Sequence, residues 1–218
     1  MDPRTYVTLE QSLIRRLRKS WRAVADEALS EIAQLVEAGK YDDARAKVLG
    51  LDLYEIGQQN RQYIRYLGQS CVVFGAASVS AMPGVLLDPM TPTFLDKSTN
   101  AVLTFLEFGG TTALHRTCLQ LIAQAEQSVQ KAEATPRKVR QFVSFQEAGD
   151  EQLQLISSLH TSRLAVWGFA AEAEITGVSR YRLNAVIDGR TSKFCRMIHG
   201  KEFNVSDAKA KIMEVLSV

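Results

Sequence analysis

A chain of 218 residues with 46% hydrophobic residues has enough apolar matter to bury a proper core, which excludes a disordered chain. Its formal charge of +2 excludes a general pull toward nucleic acid, so any such contact has to come from local clusters. Three cysteines, Cys71, Cys118 and Cys195, odd in number and far apart, argue against a disulfide framework and predict free thiols in a reducing compartment.

The first residues, MDPRTYVTLEQ, lack a charged segment followed by an apolar one, so no secretory signal is predicted. From there Leu9, Leu13, Leu17, Trp21, Val24, Ala28, Ile32 and Leu35 recur at steps of three and four. That period predicts a long amphipathic helix, ended by Gly39. Tyr41 to Leu49 reads as a short second helix. Leu53 to about Val79 reads as a third, with Ile56, Tyr63, Leu67, Cys71 and Phe74 turned inward. The most apolar stretch, Cys71 to Leu87, is broken by Gly75, Ser78, Ser80, Pro83 and Gly84, and is too short to cross about 30 Å of hydrocarbon. No membrane span is predicted.

Prolines at 3, 83, 89, 92 and 136 punctuate the chain, because proline lacks an N–H and clashes inside helices. MPGVLLDPMTPTF is therefore read as an irregular loop, pinned against a surface of this chain or of a partner. Helix resumes over Asp96 to Glu107 and Thr111 to Ala134, on either side of Gly109-Gly110. Pro136 divides a helical body, residues 1–135, from a C-terminal module, residues 136–218.

Within that module Tyr181, Leu183, Ala185 and Ile187 alternate with Arg182, Asn184 and Val186, a half-buried strand pattern that Asp188-Gly189 ends in a turn. Thr191 or Ser192 can cap a helix of about two turns, and Gly200 suits the left-handed position that closes it. Lys201 to Val205 extend again, with Phe203 and Val205 on one face. Ser206 or Asp207 then caps a last helix striped by Ala208, Ile212 and Val215. The fold class is thus mainly α: an elongated helical N-terminal body and a small C-terminal α+β module of short hairpin-like strands and two short helices.

Two basic clusters stand out. Arg15, Arg16, Arg18, Lys19 and Arg22 lie near the start. Arg180, Arg182, Arg190, Lys193, Arg196 and Lys201 meet only Asp188, six cations against one acid. Both are candidates for phosphate or an acidic protein surface, and both have the plainer reading of a solvated helix face or internal ion pairs. Cys195 and His199 are four apart and His115 and Cys118 three apart, so each pair shares a helix face and together they form a conceivable Cys2His2 zinc set. No Cys-x2-Cys knuckle accompanies them, and buried thiols and carbonyl-bonded histidines are commoner, so neither metal nor cofactor is expected. The chain has no phosphate-binding loop, no GxSxG and no HExxH, and Cys195 with His199 one helical turn away is poor geometry for a nucleophile and its base. No catalysis is expected.

The stretch GVSRYRLNAVIDGRTSKFCRMIHGKEF resembles the signature of the phage Mu protein F-like family of minor head, or head-morphogenesis, proteins. Asp188, Gly189, Arg190, Thr191, Cys195, Gly200, Lys201 and Phe203 stand at the places of its Asp-x-Arg-Thr turn, its Cys and its Gly-Lys-aromatic. The preceding SLHTSRLAVWGFAAEAEITG is similar to the helix that leads into the motif in relatives. The match covers roughly residues 140 to 205. Many relatives carry a second Cys near the first, where this chain has Ser192 and Phe194, a departure that weakens a metal reading. The resemblance implies a virion component at the portal vertex or in the head interior, made in the host cytoplasm and partnered by the portal, by capsid or scaffold protein and by packaged DNA. Some relatives continue into a toxin or enzyme domain, for which the sequence given leaves no room after Phe203. The competing expectation is a nucleic-acid-binding accessory protein, marked by DNA affinity that falls steeply with salt.

Overall fold

The computed structural model describes residues 3–130, 138–182, 196–197 and 199–215, and it is mainly α with a two-stranded antiparallel sheet near the C-terminal end. Helix α1 (Pro3–Glu37) runs 35 residues. Its buried stripe is Leu13, Leu17, Trp21, Ala25, Leu29, Ile32 and Val36. Val24, assigned to that stripe from the sequence, is instead 47% exposed, because the contact line advances four residues from Trp21 to Ala25 and Leu29 rather than three. Gly39 stops the helix at φ +73°, a left-handed conformation that a Cβ opposes, and Lys40 N–H returns to the Leu35 carbonyl at 2.9 Å.

Helix α2 (Tyr41–Val48) buries Ala44 and Val48, and α3 (Tyr54–Ala76) buries Ile56, Ile64, Leu67, Cys71 and Val72. Tyr63 and Phe74 of α3 are only half-buried. The proline-rich stretch is irregular only in part. A 3-10 turn (Val85–Leu87) is followed by α4 (Met90–Thr104), which starts six residues before the predicted Asp96. Pro92 is tolerated there because first-turn N–H groups have no partner inside the helix, and the Asp88 carboxylate accepts the Met90 N–H at 2.8 Å.

Gly109-Gly110 does not break the next helix. A π-helical segment (Phe105–Gly110) carries α4 directly into α5 (Thr111–Gln130). The Phe105 ring lies over both glycines, where a Cβ at Gly110 would come within 3.0 Å of it. Thr111 Oγ1 donates to the Leu106 carbonyl at 2.8 Å and accepts the Leu53 N–H at 3.0 Å, so the wide turn leaves these groups satisfied.

Helix α6 (Lys138–Ile175), 38 residues long, packs along both α1 and α3 and contributes Phe145, Leu153, Ile156, Leu164 and Trp167 to the same core. The boundary drawn at 135/136 therefore cuts through the body's core. The separate packing unit begins at the end of α6, where Ala170, Ala173 and Val205 form a small second cluster with Val79, Phe169 and Tyr181 against it. Strands β1 (Arg180–Arg182) and β2 (Glu202–Asn204) pair antiparallel with Tyr181 opposite Phe203, and α7 (Val205–Val215) follows. Of the predicted strand Tyr181 to Ile187, residues 183–187 lie outside the described residues, as do 191–195 of the predicted short helix; Arg196 and Met197 are helical. Val205 opens a helix rather than ending a strand, and the cap is not Ser206 or Asp207. Asn204 precedes the helix, its amide donating to the Asp207 carboxylate at 2.9 Å.

Candidate functional site

The C-terminal end of α6 gathers three segments distant in sequence. Trp167 stacks on Phe94 of α4 with ring centroids 4.1 Å apart and planes 9° from parallel. The Glu172 carboxylate, 1% exposed, accepts the Val85 N–H at 2.9 Å. Thr91 donates its hydroxyl to the Val85 carbonyl at 2.8 Å and accepts the Trp167 indole N–H at 3.4 Å. From α7, Lys209 sits 5.3 Å over the Trp167 ring, bridges to Asp88 at 3.6 Å and also pairs with Glu174. The proline-rich loop is thus pinned to its own chain on its inner side.

Its outer side faces water with apolar groups. Met82 and Leu87 are each 89% exposed, and Leu86 and Met90 are 41% exposed. Ile175, 51% exposed, borders them, its Cγ2 3.9 Å from the Cβ position at Gly84. These exposed apolar side chains, close together in the chain, make the segment a candidate contact surface.

The part of the motif that the structure describes lies in and around the two-stranded sheet. Gly200 has φ +75°, the left-handed value predicted for it, and Lys201 is exposed. Phe203 meets the Tyr181 ring at 5.7 Å, and Tyr181 in turn meets Phe169 edge-on at 5.4 Å. Asp188, Gly189, Arg190, Thr191, Lys193 and Cys195 lie outside the described residues, and Arg196 and His199 are exposed. Arg182 and Arg180 are 3.0 and 3.7 Å from the Glu202 carboxylate, one residue beyond the stretch from which the six cations were counted. Cross-strand pairing therefore offsets part of that charge, which a linear count could not show.

The N-terminal cluster is largely paired within the chain, though most of it is exposed. Arg16 donates to Asn60 at 2.9 Å and lies 5.7 Å over the Tyr63 ring. Arg18 donates to Gln154 at 2.9 Å, and Arg22 pairs with Asp150 at 3.1 Å. Three of the five cations thus hold α1 to α3 and α6. Arg15 bonds the Gln11 carbonyl within its own helix, and Lys19 is exposed.

Of the conceivable zinc set, Cys195 lies outside the described residues and His199 is exposed. His115 Nε2 is 2.6 Å from the Leu51 carbonyl, and Cys118 is fully buried, its thiol pushed up to about 12 by desolvation. Burial likewise holds the Cys71 thiol at about 12. Among the described residues no three His, Cys, Asp or Glu side chains are grouped to hold a metal ion, and no helix is long and apolar enough to cross a membrane.

Two features escaped the sequence. A groove of about 590 Å³ between the start of α1 and α3 is lined by Thr5, Leu9, Tyr66, Val73 and Phe74. His160, 1% exposed on α6, lies between Ser98 of α4 and the Ile64 carbonyl of α3, and desolvation lowers its pKa to about 4. Nothing in local spacing announces either, since each is made by residues from separate helices. Compared with family models, characterised proteins and solved structures, the chain matches none.

Proposed function

We propose that the chain is a minor head protein of a tailed phage, bound at the portal vertex or inside the head and assisting head morphogenesis, DNA packaging or DNA delivery. The observation that carries this reading is the DGRTSKFCRMIHGKEF stretch and its resemblance to the Mu F-like signature. The left-handed Gly200 and the Phe203–Tyr181 contact give that stretch a turn and a strand in the places where the signature has Gly-Lys and an aromatic.

Binding, not turnover, is the mode of action we infer. Thiols held near 12 are protonated at neutral pH, so neither Cys71 nor Cys118 offers a thiolate nucleophile. The exposed Met82, Leu86, Leu87 and Met90, together with the long N-terminal helices, supply the portal-docking surface. Internal pairing of Arg16, Arg18 and Arg22 counts against DNA contact as the main role of the N-terminal cluster.

Size-exclusion chromatography with light scattering, on this protein mixed with the portal protein encoded beside it, tests the reading. A defined complex with a few copies per portal supports it, and two separate peaks overturn it. Leu87→Glu places a charge on an 89%-exposed side chain, and should weaken that complex at least about tenfold while leaving thermal stability unchanged.

A further inference from the structure

The ring of His160 has both nitrogens paired in its neutral state. Nε2 lies 3.2 Å from the Ile64 carbonyl, which can only accept, so Nε2 carries the proton. Nδ1 is then the acceptor, and Ser98 donates its hydroxyl to it at 2.9 Å. A neutral ring thus links α3, α4 and α6 with both nitrogens used. A second proton would turn Nδ1 into a donor, force the Ser98 hydroxyl to find another acceptor, and leave a cation in a site 1% exposed.

The surrounding charges do not relieve that cation. Arg163 of α6 disfavours it. Arg61 and Arg65 of α3 are committed across the rim of the same seam, to Asn100 at 2.8 Å and to Asp96 at 2.7 Å on α4, and Lys97 of α4 is exposed. Asp96 of α4 lies on this seam, and Arg65 already holds it.

We propose that His160 is an acid-sensitive lock at the junction of α3, α4 and α6, holding α4 in place while its ring is neutral and releasing it when the ring takes a second proton. The sign follows from the site. A histidine whose folded-state pKa is lowered to about 4 contributes its full stability above the ordinary value of about 6.5, and that contribution is lost as pH falls toward 4. Because α4 carries Met90 at its start and Phe94 against Trp167, release would also loosen the exposed apolar loop before it. The lock does not depend on what that loop binds.

Hydrogen exchange read by mass spectrometry on the full chain, at pH 7.5 and pH 5.0 and corrected for intrinsic rates, tests the lock. Opening of the α4 amides should rise about 30-fold at pH 5.0, the 1.5 pH units below the free-histidine value, while the α2 amides change less than about threefold. In His160→Gln, which bonds but takes no charge, the rise in α4 should disappear. The same rise in the Gln variant, or an equal rise in α2 and α4 of the wild type, overturns the lock. Should the Gln variant fail to fold, an NMR titration of the wild-type ring decides: a midpoint below 5 supports the lock, and one at 5 or above overturns it.

Discussion

A Cβ built on Gly75 would stand 1.8 Å from the Ala165 carbonyl oxygen, and one on Gly168 would stand 1.9 Å from that of Val72. Both obstacles are backbone, so no rotamer change relieves them and α3 and α6 would have to separate along their whole contact. Gly168→Ala should therefore cost about 3 kcal/mol, at the upper end for overpacking, in urea unfolding. Gly39→Ala separates the two meanings a glycine can have. No atom lies within 4 Å of its Cβ position, and only φ +73° resists, so about 1 kcal/mol is expected there. A loss under about 0.5 kcal/mol at Gly168 would mean that the crossing has slack. Neither close approach could be read from the sequence, because Gly75 and Gly168 lie on helices nearly a hundred residues apart. Val24 was misread for a related reason: a three-residue and a four-residue step are equally helical, and only the neighbour decides which is buried.

Among the elements, those whose boundaries rest on local chemistry were legible. The left-handed Gly39 ended α1, α2 held close to its predicted span, and Gly200 took the turn assigned to it. The π-helical join was not legible, since Gly109-Gly110 reads as a break until the Phe105 ring and the Thr111 hydroxyl are seen to compensate it. The candidate site divided likewise: the pinning of the proline-rich loop followed from its prolines and apolar residues, but its exposed outer side and its anchors Glu172 and Lys209, from elements far along the chain, did not. Lys209 is the test of that anchoring. Its side chain is 20% exposed, bridges two carboxylates and covers the Trp167 ring, more than an isolated surface pair does. Lys209→Ala should loosen α7 and the Asp88 loop by about 1 kcal/mol, read as faster amide exchange in both segments and not in α2. Lys209→Met, which keeps the stem over Trp167, should recover part of the loss. Equal exchange in the wild type and the Ala variant would show that Val205 and Ile212 alone hold α7.

At the scale of the molecule, α1, α3 and α6 share one core, and α6 is the member a division near Pro136 would remove. Phe145, Leu153, Ile156, Leu164 and Trp167 are each at most 3% exposed, and truncation at residue 135 would uncover Leu13, Leu17 and Trp21 on one side and Ile64, Leu67, Cys71 and Val72 on another. Burying a large apolar side chain is worth about 1.5–3 kcal/mol, and a whole domain is stable by only about 5–15 kcal/mol. Loss of five such side chains, together with the Arg18 and Arg22 contacts to Gln154 and Asp150, is as large as that margin. A fragment of residues 1–135 should therefore be helical by far-ultraviolet circular dichroism but lack a cooperative thermal transition, and adding a separately made fragment of residues 138–218 should restore one. A sharp transition in the first fragment alone would mean that α1 to α5 close a core without α6, and that the break at Pro136 is a true domain boundary.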